Sequence, residues 1–299
     1  MIAVTGASGF IGRAVCDALT MRGIKVVTVG RRANSDVRWP APGGSFATED
    51  FIKLRRCRAV VNISGESIGA RWTGARRKAI RESREGLTRV LCAALASRDE
   101  RPATLISASA VGIYGDRGDT WLDESATLGD DFLASVAREW ERATEPARAA
   151  GMRVVLMRLG VVFGVSGGMV GRLRLPFQLG LGGRLGSGAQ WLSWIALDDV
   201  VSFVLRAIDD SAFNGAVNVA APEPITNAQF TKLVGRLLGR PTVIPTPAFA
   251  LRMAFGQMAN GVLLASQRVR PGQLERHRFA YSHPTAEGAL RAALGMAAS

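Results

Sequence analysis

The sequence predicts an α/β protein: a doubly wound parallel sheet followed by a small, mostly helical C-terminal lobe. Three observations carry that prediction. Short β-branched runs alternate with amphipathic stretches through the first two-thirds of the chain. A glycine-rich turn, TGASGFIG at residues 5–12, stands between the first such run and the first amphipathic stretch. After Pro222 the strand-like runs stop, and helical stretches are broken at Gly239-Arg240-Pro241 and Pro271-Gly272. The predicted division is a dinucleotide-binding Rossmann domain over 1–225 and a lobe over 226–299 that closes on a substrate.

Each element has its own signal. Strands are expected at Ile2–Thr5, 25–29, 59–63, 103–108 and Arg153–Leu159, where apolar residues run almost unbroken, as in strands covered on both faces. Helices are expected at 11–22, 76–97 and 132–150. Segment 34–47 is polar and rich in Pro and Gly, and reads as a loop with room for a short third strand. Segment 164–190 carries many glycines without the Gly-Lys-Ser/Thr of a P-loop, and is expected to cross the cofactor cleft. A helix at 198–209, its start capped by Asp198 and Asp199, and a strand at 216–219 follow.

The turn carries the functional signal. Gly6 permits a tight exit from the strand, Gly9 a close approach of backbone to phosphate, and Gly12 close packing of the helix. A helix start offers free N–H groups and partial positive charge to an anion. The second strand ends in Gly30-Arg31-Arg32, where NAD-binding chains place an acid for the ribose 2′-hydroxyl. A guanidinium there suits a 2′-phosphate instead, so the expected cofactor is NADP(H).

Composition excludes other classes. Hydrophobic residues make up 47% of 299 residues, which rules out broad disorder. No uncharged apolar run is long enough to span a bilayer, so no membrane partner is predicted. The first strand begins at Ile2 and leaves no room for a leader, so a cytoplasmic location is expected. Cys16, Cys57 and Cys92 are widely spaced and odd in number, as for buried thiols in a reducing compartment. The two histidines, His277 and His283, form no metal-ligand pattern with them, and a Ser-His-Asp triad has little to draw on. The net charge is +13, but it is spread along the chain without a nucleic-acid-binding motif, so no nucleic-acid partner is expected.

Together these residues resemble the extended short-chain dehydrogenase/reductases, in an atypical epimerase-like branch of unknown substrate. The resemblance covers essentially the whole chain. It is carried by TGASGFIG, NISGESIGARWTGARRKAIRESREGLTRVL, SASAVGIYGD, DDFLASVAREWE, RLGVVFGVSGGMV, PFQLGLGGRLGSGAQWLSWIALDDVV and NVAAPEPITNAQFTKLVGRLLGRP. It implies strand order 3-2-1-4-5-6 with NADP(H) across the C-terminal strand ends. Gly6, Ser8, Gly9, Phe10, Ile11 and Gly12 would then hold the pyrophosphate, and Arg31 and Arg32 the adenosine ribose. Ser64 and Gly65 would lie by the riboses, with Leu159 and Gly160 by the nicotinamide. The substrate would be a small molecule, anionic or a sugar-nucleotide, with Arg172, Arg174 and Arg184 suited to a diphosphate and Trp191 and Trp194 to a base. The bland alternative keeps the tryptophans in the core and the arginines in solvent.

The catalytic pattern breaks. Relatives use Ser and Tyr-x-x-x-Lys, but here Phe132 and Val136 stand at the Tyr and Lys positions. Phe cannot donate a proton and Val cannot bind a ribose hydroxyl. Ser109 remains as the serine, and Tyr114 and Glu66 are the candidate proton donors. Glu124 reads as a surface carboxylate. Two functions stay open: an NADP(H)-dependent oxidoreductase or nucleotide-sugar epimerase-like enzyme, and a catalytically weak NADP(H) sensor that works through a protein partner.

Overall fold

A computed structural model describes residues 1–41, 44–97, 100–165 and 167–296. Seven strands form its central sheet: β1 (Ile2–Thr5), β2 (Val26–Gly30), β3 (Val37–Arg38), β4 (Ala59–Asn62), β5 (Thr104–Ala110), β6 (Arg153–Leu159) and β7 (Gly215–Val219). All neighbours pair in parallel, in the order β7-β6-β5-β4-β1-β2-β3. The implied order is therefore present, with β7 added at the far edge. The third strand within 34–47 is real but only two residues long.

Twelve α-helices, α1 to α12, follow in chain order among the described residues. They are α1 (Phe10–Met21), α2 (Thr48–Arg55), α3 (Gly74–Arg81), α4 (Leu87–Ala96), α5 (Phe132–Arg142), α6 (Glu145–Ala149), α7 (Gly168–Gln178), α8 (Leu197–Asp209), α9 (Asn227–Leu238), α10 (Ala248–Phe255), α11 (Gly272–Arg276) and α12 (Ala286–Ala293). Strand alternation sends Ile2, Val4, Val61, Ile106 and Val155 to a core shared with Val15 and Leu19 of α1 and Phe203 and Val204 of α8. Ala3, Val60, Leu105 and Val154 point the other way, to Leu54 of α2, Leu91 and Leu95 of α4 and Ala147 of α6. Cys57 and Cys92 lie in that second core as free thiols, and Cys16 is half-buried.

Several boundaries differ from expectation for local reasons. The helix expected over 132–150 is two helices, because Pro146 restarts the chain in the first turn of α6. The helix expected over 76–97 is one run interrupted by a π-helical turn, Glu82–Gly86. The glycine-rich segment contains a regular helix, α7, despite its internal Pro176. Asp198 and Asp199 do not cap α8. Its N-cap is Ala196, and the Asp199 carboxylate instead accepts the backbone N–H groups of Ser282 and His283. The C-terminal residues share a core with the excursion: Ala289 and Leu290 of α12 pack in one cluster with Val170 and Phe177 of α7 and with Phe163, Trp194 and Phe230.

Candidate functional site

The glycine turn has the geometry a pyrophosphate requires. Gly6 takes φ +66°, and a Cβ there would lie 2.8 Å from the Ile63 carbonyl oxygen. A Cβ on Gly12 would lie 2.1 Å from the Gly6 carbonyl oxygen, so this glycine lets α1 close onto its own loop. Gly9 is the N-cap of α1 and no side chain caps it. The first intrahelical bond runs from the Arg13 N–H to the Gly9 carbonyl at 3.0 Å. The N–H groups of Phe10, Ile11 and Gly12 precede it and point out of the helix start. Ser8 and Gly9 are exposed. The Phe10 ring fills a space that Cβ atoms on Gly164, Gly167 or Gly168 would enter at 2.8–3.1 Å, which gives three glycines of the excursion a shared reason.

Beneath the loop lies a buried polar floor. The Thr5 hydroxyl donates to Asn62 Oδ1 at 2.8 Å, and Asn62 Nδ2 donates to Thr88 and Ser107. The backbone N–H of Ser64 donates to Thr5, which fixes the start of the loop after β4. Gly65 lies against the Arg84 guanidinium, 3.2 Å from where its Cβ would be. Burial pushes Arg84 down to about 10, against the attraction of the Glu66 carboxylate. Leu159 ends β6, and Gly160 just after it has no room for a Cβ beside the Ser193 carbonyl at 2.9 Å.

Arg31 and Arg32 are exposed at the end of β2 and have no ion-pair partner among the described residues. An acid does stand near β2, but it is engaged. Asp36 accepts from the Thr28 N–H and hydroxyl at 2.9 and 2.7 Å.

The three catalytic candidates do not converge. Ser109 is 2% exposed and donates to Glu141 at 2.7 Å. Tyr114 is fully buried; its hydroxyl donates to Asn218 at 2.7 Å and accepts from Arg158 at 3.0 Å. Arg158 grips both Glu141 oxygens, at 2.9 and 3.0 Å. Burial works against the Arg158 charge, but the bonds to Glu141 outweigh it and hold the charge in place. Burial pushes the Tyr114 phenol up, opposed by Arg158. Tyr114 thus has both hydroxyl bonds spent inside the protein and offers none to a substrate. Glu124, expected at the surface, belongs to the same neighbourhood: its Oε1 accepts the backbone N–H groups of Asn218 and Gln273, each at 3.0 Å. Glu66 stands apart, half-buried, on the loop after β4, with its N–H donating to Ser83.

Phe132 and Val136, expected at the Tyr and Lys positions, lie among apolar and guanidinium groups. Val136 is buried. The Phe132 ring meets Trp72 edge-on at 5.0 Å and lies under the guanidinium groups of Arg77 at 4.4 Å and Arg81 at 5.5 Å. Sequence reading missed these arginines. Their signal was present: Arg77, Arg81 and Arg84 are spaced i, i+4, i+7, and the π-helical turn brings the third to Gly65. Of the two tryptophans, Trp194 is core, stacked on Phe163 at 5.4 Å. Trp191 is spent on a guanidinium: Arg268 lies between its ring at 4.1 Å and that of Trp121 at 4.2 Å. Arg172 donates to Gly69 and Ser67, tying the excursion to the loop after β4.

A profile of the NAD dependent epimerase/dehydratase family matches residues 2–220. The chain belongs to that family. A second profile, a domain of unknown function (DUF1731), matches residues 246–293. An epimerase family protein of Mycobacterium tuberculosis is 44% identical over 97% of this chain and 96% of its own length. The human epimerase family protein SDR39U1 is 34% identical, with 97% and 98% covered. The crystal structure of human SDR39U1 (isoform 2) with NADPH superposes with a TM-score of 0.88 at 31% identity, covering 98% of this chain and 99% of that one. A UDP-glucose 4-epimerase of Thermotoga maritima with UDP-glucose, at 18% identity and TM-score 0.77, shares the fold.

Proposed function

We propose that this family member binds NADP(H) at the open start of α1 and acts as an oxidoreductase on a small anionic molecule, sugar-nucleotides included. One observation carries the reading: an uncapped helix start beside Gly6, Gly9 and Gly12, with Arg31 and Arg32 at the end of β2 exposed and without an ion-pair partner among the described residues. The NADPH held by human SDR39U1 supports it. Ser8, Phe10, Ile11 and the loop N–H groups would take the pyrophosphate, and Ser64, Gly65, Leu159 and Gly160 the riboses and nicotinamide. A bound nicotinamide exchanges hydride with a substrate carbon. Glu66 is the proton-handling group in this reading, because it is the one candidate outside the buried network. In reduction its carboxyl gives a proton to the substrate oxygen and is left as carboxylate. Ser109 and Tyr114 become struts of the wall that carries α5.

A second reading, an NADP(H) sensor, is favoured by the Phe132–Trp72 contact at the usual tyrosine position. We place the boundary of the dinucleotide-binding part near residue 225, and the protein in the cytoplasm, where its free thiols stay reduced.

The deciding experiment is a fluorescence titration with NADPH and with NADH, then a single-turnover screen of nucleotide-sugars. NADPH is expected to bind at least about tenfold more tightly, and the paired variant Arg31→Ala and Arg32→Ala to remove that preference. Hydride exchange that Glu66→Gln slows about a hundredfold, with NADPH affinity kept, supports the enzyme. Tight NADPH binding without turnover on any compound supports the sensor. Failure to bind either nucleotide overturns both.

A further inference from the structure

Three segments bear basic residues and no acid at all. Residues 67–81 carry five Lys or Arg, 164–197 carry three and 224–274 carry six, and none contains Asp or Glu. The fold brings the three together. Arg172 donates to the Gly69 carbonyl, and Arg71 to the Met253 carbonyl at 3.0 Å. Leu185 pairs with Thr246, and the Gly186 N–H meets the Thr246 carbonyl at 2.9 Å.

The same edge carries most of the large apolar side chains that are more than 60% exposed. Leu175 and Leu179, an i, i+4 pair on α7, are 62% and 65% exposed, and Leu181 beyond them is 68% exposed. Phe249 and Met253, an i, i+4 pair on α10, are 66% and 74% exposed, while Leu251 between them is buried. Ile244 is 64% exposed, and its carbonyl abuts Gly183. Arg174, Arg184 and Arg240 are exposed beside these groups and have no ion-pair partner among the described residues. Steering of an anionic cofactor would account for the arginines. It does not account for two helices that each turn a pair of large apolar side chains to water.

We propose that this edge, formed by α7, α10 and the loops 179–186 and 240–247, docks on an anionic lipid surface. Apolar side chains would enter the headgroup boundary while unpaired arginines meet acidic headgroups. Charge decides the occupant. An acid-free edge on a chain of net charge +13 repels a second copy of itself. The sequence excluded a membrane-spanning segment, and among the described residues no helix is long and apolar enough to span. Docking on a surface needs no span, so the expectation of no membrane partner is revised here.

The test is flotation of the full chain with vesicles of phosphatidylcholine alone and of phosphatidylcholine mixed with phosphatidylglycerol. Binding is expected only to the mixed vesicles, with about a tenfold loss on raising salt or in the variant Ile244→Ser, Phe249→Ser and Met253→Ser. These side chains are exposed, so the variant should melt as the parent does and keep its NADPH affinity. A second variant, Arg174→Gln with Arg184→Gln, should weaken binding without touching the apolar groups. Absence of vesicle binding, binding indifferent to lipid charge, or binding unchanged in both variants overturns the proposal. So does a dimer in sedimentation that the serine variant dissolves, or binding of duplex DNA without vesicle binding.

Discussion

Two helix starts, those of α1 and α5, solve the same electrostatic problem in opposite ways. At α1 the N-cap is a glycine and no side chain covers the first-turn donors. At α5 the Asp131 carboxylate accepts the Ala134 N–H at 2.9 Å, and arginines cover the ring of the first helical residue, Phe132. A capped start has spent its donors, whereas an uncapped one holds them for a ligand. Behind α5 the side chains are equally spent. Glu141, Arg158, Ser109 and Tyr114 satisfy one another in the interior. The contrast separates a helix start whose donors are uncovered from one whose side chains are engaged, within a single sheet.

The largest effect expected from breaking this comparison is at Glu141. The Glu141 and Arg158 side chains are 11% and 7% exposed, so Glu141→Ala strands a buried charge. A loss of about 3–5 kcal/mol is expected in urea unfolding. A loss within experimental scatter would mean that the network carries no load. Next comes Gly12→Ala, whose Cβ would meet the Gly6 carbonyl at 2.1 Å. We expect NADPH affinity to fall about a hundredfold, about 2.7 kcal/mol. An unchanged titration would remove the loop from the cofactor site.

Tyr114→Phe sharpens the comparison. It leaves Asn218 and Arg158 short of a partner each and should cost about 1–3 kcal/mol of stability. NADPH affinity should hold. A variant as stable as the parent but without turnover would return Tyr114 to the chemistry.

The smallest effect is at Asp36. Burial raises its pKa, but bonds from the Thr28 N–H and hydroxyl, with Lys53 nearby, prevail and hold it below 3.8. A carboxyl depressed on folding stabilises fully above its unfolded pKa, and that contribution fades as pH falls through the folded value. Asp36→Asn should therefore lower stability at neutral pH and narrow its gap to the parent below about pH 4. A gap constant with pH would show that the effect is not ionic.

Fold and cofactor loop were legible because their causes are local. The apolar runs of β1 and β6 and the spacing of Gly6, Gly9 and Gly12 each act within a few residues of chain. The missing Tyr-x-x-x-Lys was equally plain at Phe132 and Val136. What those positions became was not. Tyr114 follows Ser109 by five residues and looked like a donor at a strand end, yet Asn218, Arg158 and Glu141 converge on the pair from distant elements. Glu124 likewise finds its partners far along the chain, at residues 218 and 273.

The sequence by itself thus determined the alternation of strands and helices, the glycine turn and the absence of a Tyr-x-x-x-Lys, since each depends on residue type and near spacing; the strand order was implied by the family resemblance. Only the tertiary structure decided which polar groups are free. A hydroxyl, carboxylate or guanidinium is available to a ligand when no buried partner has claimed it, and such partners come from strands and helices that only the completed sheet brings together.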